Sequence, residues 1–123
     1  MRVYLAGPLP ADDYRRRAKE LVAAAGWEPV DPFRRDYRGR TEGNEAEIVA
    51  GDLEDIRTCD AVLADFSEPD EGTAMEAWFA HGEGKLVVAY TGGRRPHPWT
   101  VYVADAVGAS LEDAVAALSS SES

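Results

Sequence analysis

Apolar residues recur along the chain in two rhythms that take turns, one of period two and one of period 3.6. The opening stretch, "MRVYLAGP", puts Val3 and Leu5 on one face of an extended segment and Tyr4 on the other, and Gly7-Pro8 ends it. Residues 12–25 change to helical spacing through Tyr14, Ala18, Leu21, Val22 and Ala25, with Gly26 where a C-cap glycine belongs. A short strand over 28–30 stops at Asp31-Pro32. Residues 33–43 carry Arg34, Arg35, Arg38 and Arg40 with two glycines and no apolar period, which predicts a loop. Helical spacing returns over 44–58 through Ala46, Val49, Leu53 and Ile56. "AVLADF" at 61–66 predicts a strand, 67–72 its loop, 73–82 a helix, and "KLVVAY" at 85–90 another strand. After the turn formers "TGGRRPHP", residues 99–107 fit strand or helix equally, and 110–118 form a last helix with Ser110 and Asp113 as its capping box. Residues 119–123 read as a frayed tail.

Alternating strands and helices predict an α/β fold: a single-domain, doubly wound, mostly parallel sheet of Rossmann or flavodoxin type over residues 1–118, with helices on both faces. Such sheets bind ligands beyond the carboxyl ends of their strands, where the strand order reverses. The loops at 6–11, 31–43, 66–72 and 91–98 are therefore the candidate walls of a site.

Composition narrows the ligand. With 123 residues, 45% of them hydrophobic, the chain suits one domain, and no apolar run reaches bilayer length. Its apolar start is too short for a signal peptide, so a soluble cytoplasmic protein without a membrane partner is expected. The lone Cys59 has no disulfide partner and reads as a small buried hydrophobe rather than a nucleophile. A net charge of −10 disfavours nucleic-acid polymers, which need a basic surface, and leaves small molecules. One local positive cluster could still hold a phosphate. The chain has no GxGxxG, no phosphate-loop lysine motif and no metal-ligand spacing, so neither a cofactor nor a metal is expected.

A set of acids remains. Asp70 lies in the loop after "AVLADF", Glu76 in the first turn of the helix that follows, and Asp52 on the preceding helix, where it reaches the same sheet edge. Each has a plain alternative. Thr73-Ala-Met-Glu76 fits a capping box, Asp52 a solvated helix face, Asp70 a turn, and Tyr4 a core aromatic. Spacing alone does not choose between these readings.

Taken together and in order, "VYLAGP", "DLEDIRTCDAVLADF", "DEGTAMEAWFAHGEGKLVV" and "HPWTVYVADAVGASLEDAVAAL" resemble the nucleoside 2-deoxyribosyltransferases and the related 2'-deoxynucleoside 5'-phosphate N-hydrolases. Only the loop at 33–43 finds no counterpart. The resemblance implies that Glu76 is a nucleophile that attacks C1' of the sugar and forms a glycosyl-enzyme ester, as in a retaining glycosidase. It implies an ionised Glu76, favoured by a first-turn position, a Tyr4 hydroxyl that donates to it, and Asp52 as the acid that protonates the departing base. Gly7 and Pro8 would form the turn that admits substrate, Gly72 would also bind it, Asp70 would contact its 5' end, and His97 would reach the 5' end in the neighbouring subunit's site. The transferases carry an aspartate at the position of Asp70, suited to a free 5'-hydroxyl, and the hydrolases a serine suited to a phosphate. Asp70 thus points to nucleosides, while Arg94 and Arg95 beside His97 point to phosphate. The implied activity is deoxyribosyl transfer between nucleobases. The alternatives are hydrolysis of a nucleoside 5'-monophosphate and, from a different class, a non-catalytic nucleotide-binding module with Glu76 as a cap. Substrates would be nucleosides or nucleotides and nucleobases, and the implied assembly is a homodimer or higher homo-oligomer with shared sites. Trp78, Phe79 and Trp99 would supply its contact or else sit in the core.

Overall fold

A computed structural model describes residues 1–8 and 12–122. Its elements are β1 (Arg2–Ala6), α1 (Asp12–Ala24), β2 (Glu28–Val30), a 3₁₀ turn (Pro32–Arg34), α2 (Glu45–Thr58), β3 (Ala61–Asp65), α3 (Glu71–Gly82), β4 (Leu86–Tyr90), α4 (Pro98–Val103), β5 (Ala106–Gly108) and α5 (Leu111–Glu122). The five strands form one parallel sheet in the order β2-β1-β3-β4-β5. Strand order reverses between β1 and β3, so the ligand crevice expected of this architecture opens at their carboxyl ends.

The period-two pattern sends each strand's side chains to two separate cores. Tyr4, Val62, Ala64, Val87 and Ala89 meet Ile56 of α2, Ala77 and Ala80 of α3 and Val103 of α4 on one face. Val3, Leu5, Leu63 and Val88 meet Ala18 and Val22 of α1 and Leu111, Ala114 and Leu118 of α5 on the other. Helices therefore cover both faces, as the alternation of elements predicts. Cys59 is buried and its thiol is pushed up by that burial, in keeping with a packing role.

Several boundaries differ from the expectation. The stretch at 99–107 is neither all strand nor all helix: α4 takes its first part and the edge strand β5 its last. Pro98 starts the helix at a position that needs no amide donor, and His97 caps it by accepting the Trp99 amide at Nδ1 (3.1 Å). Helix α3 begins at Glu71, not at Thr73, because the extended Asp70 caps it and accepts the Thr73 amide at 2.9 Å. Ser110 caps α5 through the Asp113 amide (3.0 Å), and the helix runs on to Glu122 where a frayed tail was expected from Ser119. Residues 9–11 of the expected wall at 6–11 and Ser123 of the expected tail lie outside the described residues. Gly26 follows α1 with φ of 86°, the left-handed C-cap that its position announced. Among the described residues no helix is long and apolar enough to cross a membrane.

The edge strand is held by close approach to α5. A Cβ on Gly108 would stand 2.5 Å from the Ala114 nitrogen and 2.7 Å from its Cα. Both are backbone atoms inside a helix and cannot step aside. Gly108→Ala is therefore expected to lower stability by about 1–3 kcal/mol, seen as an earlier urea midpoint at unchanged slope. An unchanged midpoint would show that β5 and α5 can separate freely.

Candidate active site

The crevice at the switch point is built from β1, α3 and α2. Tyr4, fully buried on the α2–α3 face of β1, donates its hydroxyl hydrogen to Oε2 of Glu76 on α3. Because α3 begins at Glu71, Glu76 is its sixth residue and lies in the second turn. It follows Thr73 and precedes Ala77 and Ala80 on the stripe that packs against the sheet, and those three are all buried. An acid thus occupies a place on a helix that geometry assigns to the core. The capping box does not form, since Asp70 takes the Thr73 amide and also its hydroxyl (2.6 Å).

This changes the expected electrostatics of Glu76. A second-turn carboxylate no longer faces free amide donors, so the helix end does not supply the help anticipated from a first-turn position. Burial instead raises Glu76 to about 7; the Tyr4 hydrogen bond and the charge of Arg15 pull it down, and Asp52 and Asp70 push it up. Tyr4 is itself raised far above the ordinary phenol range by burial and by the neighbouring carboxylates. It therefore remains a neutral donor. Asp52 is raised by burial and by Asp55, and lowered by Arg35, whose Nη2 lies 3.5 Å from its Oδ1.

The remaining residues expected at the site fall around this pair. Asp70 and His97 share the lining of an apolar hollow of about 470 Å³ with Phe66, Ala74, Arg94 and Trp99. Arg94 is not a free loop tip, since its Nε and Nη2 donate to the Phe66 carbonyl at 3.3 and 3.1 Å. Gly72 is exposed in the first turn of α3. Gly7 is buried, and the room a side chain would need is taken by Tyr14 and Asp65, each 3.2 Å from a notional Cβ. Its role in the fold is thus close packing, and Pro8 beside it is half-buried. Asp52 lines a cavity of about 80 Å³ roofed by Phe33, Arg35, Tyr37 and Thr41. Among the described residues no three His, Cys, Asp or Glu side chains are grouped as a metal site would need.

Several residues of this region went unread in the sequence. Arg15, only 4% exposed, donates to the Leu5 and Gly7 carbonyls and to Asp31 Oδ1 (3.1 Å), and its guanidinium lies over the Phe33 ring at 4.0 Å. It joins the carboxyl ends of β1 and β2. The available signal was its spacing, since Arg15 stands three residues before Ala18 and seven before Val22, on the buried stripe of α1. Asp55, buried on α2, receives both Arg34 and Arg35.

Comparison with known proteins bears on the same region. The family model described as nucleoside 2-deoxyribosyltransferase matches residues 3–118. Comparison with curated protein sequences gave no match. Among solved structures, the chain resembles the 2-deoxyribosyltransferase of Bacillus psychrosaccharolyticus with a TM-score of 0.75 at 20% identity, over 92% of this chain and 89% of that one. The CMP N-glycosidase BcmB of Clostridium botulinum gives 0.68 at 16% identity, over 97% and 99%. A conserved protein of Enterococcus faecalis V583 gives 0.72 at 20% identity, over 98% of each. These likenesses establish a shared fold, and the family match runs from β1 into α5. The chain belongs to the nucleoside 2-deoxyribosyltransferase family.

Proposed function

We propose that this chain cleaves the N-glycosidic bond of a 2'-deoxynucleoside and passes the deoxyribosyl group to another nucleobase through an ester on Glu76. Membership of the family supports deoxyribosyl transfer or N-glycosidic cleavage. The observation that carries the finer reading is the hydrogen bond from the Tyr4 hydroxyl to Glu76 Oε2 on the sheet-facing side of α3. Tyr4 takes Oε2, which leaves Oε1 for the anomeric carbon. Attack by Oε1 on C1' breaks the bond to the base, whose nitrogen keeps the electron pair and takes a proton from Asp52. The acceptor base then attacks C1', returns a proton to Asp52 and releases Glu76. Positive charge that develops on the sugar is met by the Glu76 carboxylate, and Asp70, which lines the adjacent hollow, suits a 5'-hydroxyl.

Hydrolysis of a nucleoside 5'-monophosphate is the second reading, favoured by Arg94 in the wall of that hollow. Against it, a carboxylate and a phosphate 4 Å apart repel by about 4 kcal/mol at intermediate dielectric. The shared-site assembly implied for the family has a suitable surface here. Met75, Trp78, Trp99, Val101 and Tyr102 are exposed together on α3 and α4, with the Trp78 and Trp99 rings 5.8 Å apart.

Three expectations test these readings. Deoxyinosine with free adenine should yield deoxyadenosine, and Glu76→Gln should reduce the rate by about 10³-fold or more. Tyr4→Phe should lower kcat/KM by about 10- to 100-fold and move its acid limb, centred near pH 7 for the ionisation of Glu76, to higher pH. Base release from a deoxynucleotide alone, with none from nucleosides, would select the second reading instead.

Stability should follow the same titration. Between the ordinary 4.5 and about 7 the folded chain keeps a proton on Glu76 that the unfolded chain has lost, so stability falls as pH rises through that window. The full loss, about 3 kcal/mol, is reached above pH 7, and Glu76→Gln should abolish this pH-dependent component in urea titrations. A variant with the wild-type pH dependence would place the buried proton elsewhere. Finally, sedimentation at micromolar concentration should give at least twice the mass of the chain, and Trp78→Ser with Trp99→Ser should give monomer. A wild-type monomer would remove the shared-site assembly.

A further inference from the structure

The loop at 33–43 has no counterpart in the sequence resemblance, yet it carries an ordered ion-pair system against α2. Asp55, 7% exposed, is held by Arg34 through Nη1 and Nη2 at 2.8 Å each, and by Arg35 Nη2 at 2.7 Å. The same Nη2 of Arg35 reaches Asp52 Oδ1 at 3.5 Å, one turn earlier on α2. Gly51 makes room for it, since a Cβ there would stand 3.1 Å from both Nε and Nη2 of Arg35 and 3.2 Å from Cζ. One guanidinium therefore lies flat on a side-chain-free spot of the helix, with its anchor on one side and Asp52 on the other.

We propose that Arg35 is a positioning residue, which clamps the 33–43 loop onto α2 and fixes both the orientation and the proton affinity of Asp52. Asp55 is its anchor and Gly51 its seat. The proposal rests on the reading of Asp52 as the acid for the leaving base, and it adds a control of that acid from outside the residues the family resemblance supplies.

The charges that meet at Asp52 come from every side. Asp55 acts from its own helix, Arg35 from the loop, Arg15 from α1 and Glu76 from α3, while Tyr4 faces it from β1. Arg35 is the largest of the influences that favour the ionised form. Its removal leaves burial and Asp55 unopposed on that side, so Asp52 holds its proton to higher pH. A tighter proton leaves less readily for the base. A lysine would keep the charge but lacks the planar fork that serves two carboxylates at once.

The Asp52 carboxyl carbon, followed by NMR across pH, reads this without any need for turnover. Arg35→Met should raise its midpoint by about one pH unit. Arg35→Lys should recover part of that shift, and Arg34→Gln, which loosens Asp55 but does not touch Asp52, should leave the midpoint where it is. In base exchange, the limb of the pH profile that reports Asp52 should move with the NMR midpoint. An Asp52 midpoint unmoved in folded Arg35→Met overturns the proposal, as does an equal shift in Arg34→Gln. Should Arg35→Met fail to fold, Gly51→Ala displaces the guanidinium without removing its charge; a rise in the Asp52 midpoint is then expected, and no change counts against the clamp. If the wild type exchanges no base and cleaves no donor, the functional reading fails, while the titration still decides the role of Arg35.

Discussion

A carboxylate placed where a helix should be apolar needs a partner, and the meeting of Glu76 with the Tyr4 phenol is the interaction on which this structure turns. Thr73, Ala77 and Ala80 make the rest of that stripe small and buried, which brings α3 close to β1. Close approach is what lets a phenol on the strand reach the acid. It also desolvates both groups, so the phenol stays protonated and donates, and the acid titrates near neutrality rather than near 4.5. The register of α3 follows from one residue. Asp70 starts the helix at Glu71, and a cap three residues later, at Thr73, would have asked Glu76 to turn back to the helix end.

Although the chain is acidic, three arginines, Arg15, Arg34 and Arg35, gather at this edge. Arg15 spans the ends of β1 and β2 through two carbonyls and Asp31, while Arg34 and Arg35 join the next loop to α2 through Asp55. Each guanidinium is shared among several acceptors, which suits its fixed fork of donors. The effect at the crevice is graded. The charge of Arg15 acts on both acids and that of Arg35 on Asp52, so the two differ in their balance of burial and cation even though both are raised. Two carboxyl groups with different proton demands are what transfer through a glycosyl ester would require.

Much of this was legible in the sequence because the strands alternate cleanly and the helices carry apolar stripes. The sheet, its parallel sense and the two-sided cover follow from that pattern alone. Ends of elements were harder, since a cap is chosen by local competition: Asp70 and Thr73 both suit an N-cap, and only the first is used. The 99–107 stretch contains a helix and a strand too short for either period to declare itself. At the site, Tyr4, Asp52, Asp70 and Glu76 were picked out through family resemblance, because spacing gave each an ordinary alternative. Arg15, Arg35 and Asp55 were not, since an arginine's partners are set by tertiary geometry and its long side chain hides the address. Glu76 lacks the first-turn help expected of it for a related reason: a helix start two residues earlier exchanged a dipole for burial.

Asp70 stands at two places at once, the start of α3 and the lining of the adjacent hollow. Its Oδ2 is engaged by the Thr73 amide and hydroxyl, so one half of the carboxylate caps α3 while the group still borders the hollow shared with Arg94 and His97. Serine caps a helix about as well as aspartate. Exchange between the two residues at this position therefore preserves the register of α3, and with it the Tyr4–Glu76 contact, while removing a negative charge from the hollow. On the proposed chemistry, the nucleophile and its donor are indifferent to the sugar's 5' substituent, and only the cap senses it. On that reading, preference for the 5' substituent can divide at the helix cap without rebuilding the reacting pair. On that reading the aspartate of this chain matches the hollow to a hydroxyl rather than to a phosphate, and Arg94 already gives its Nε and Nη2 to the Phe66 carbonyl.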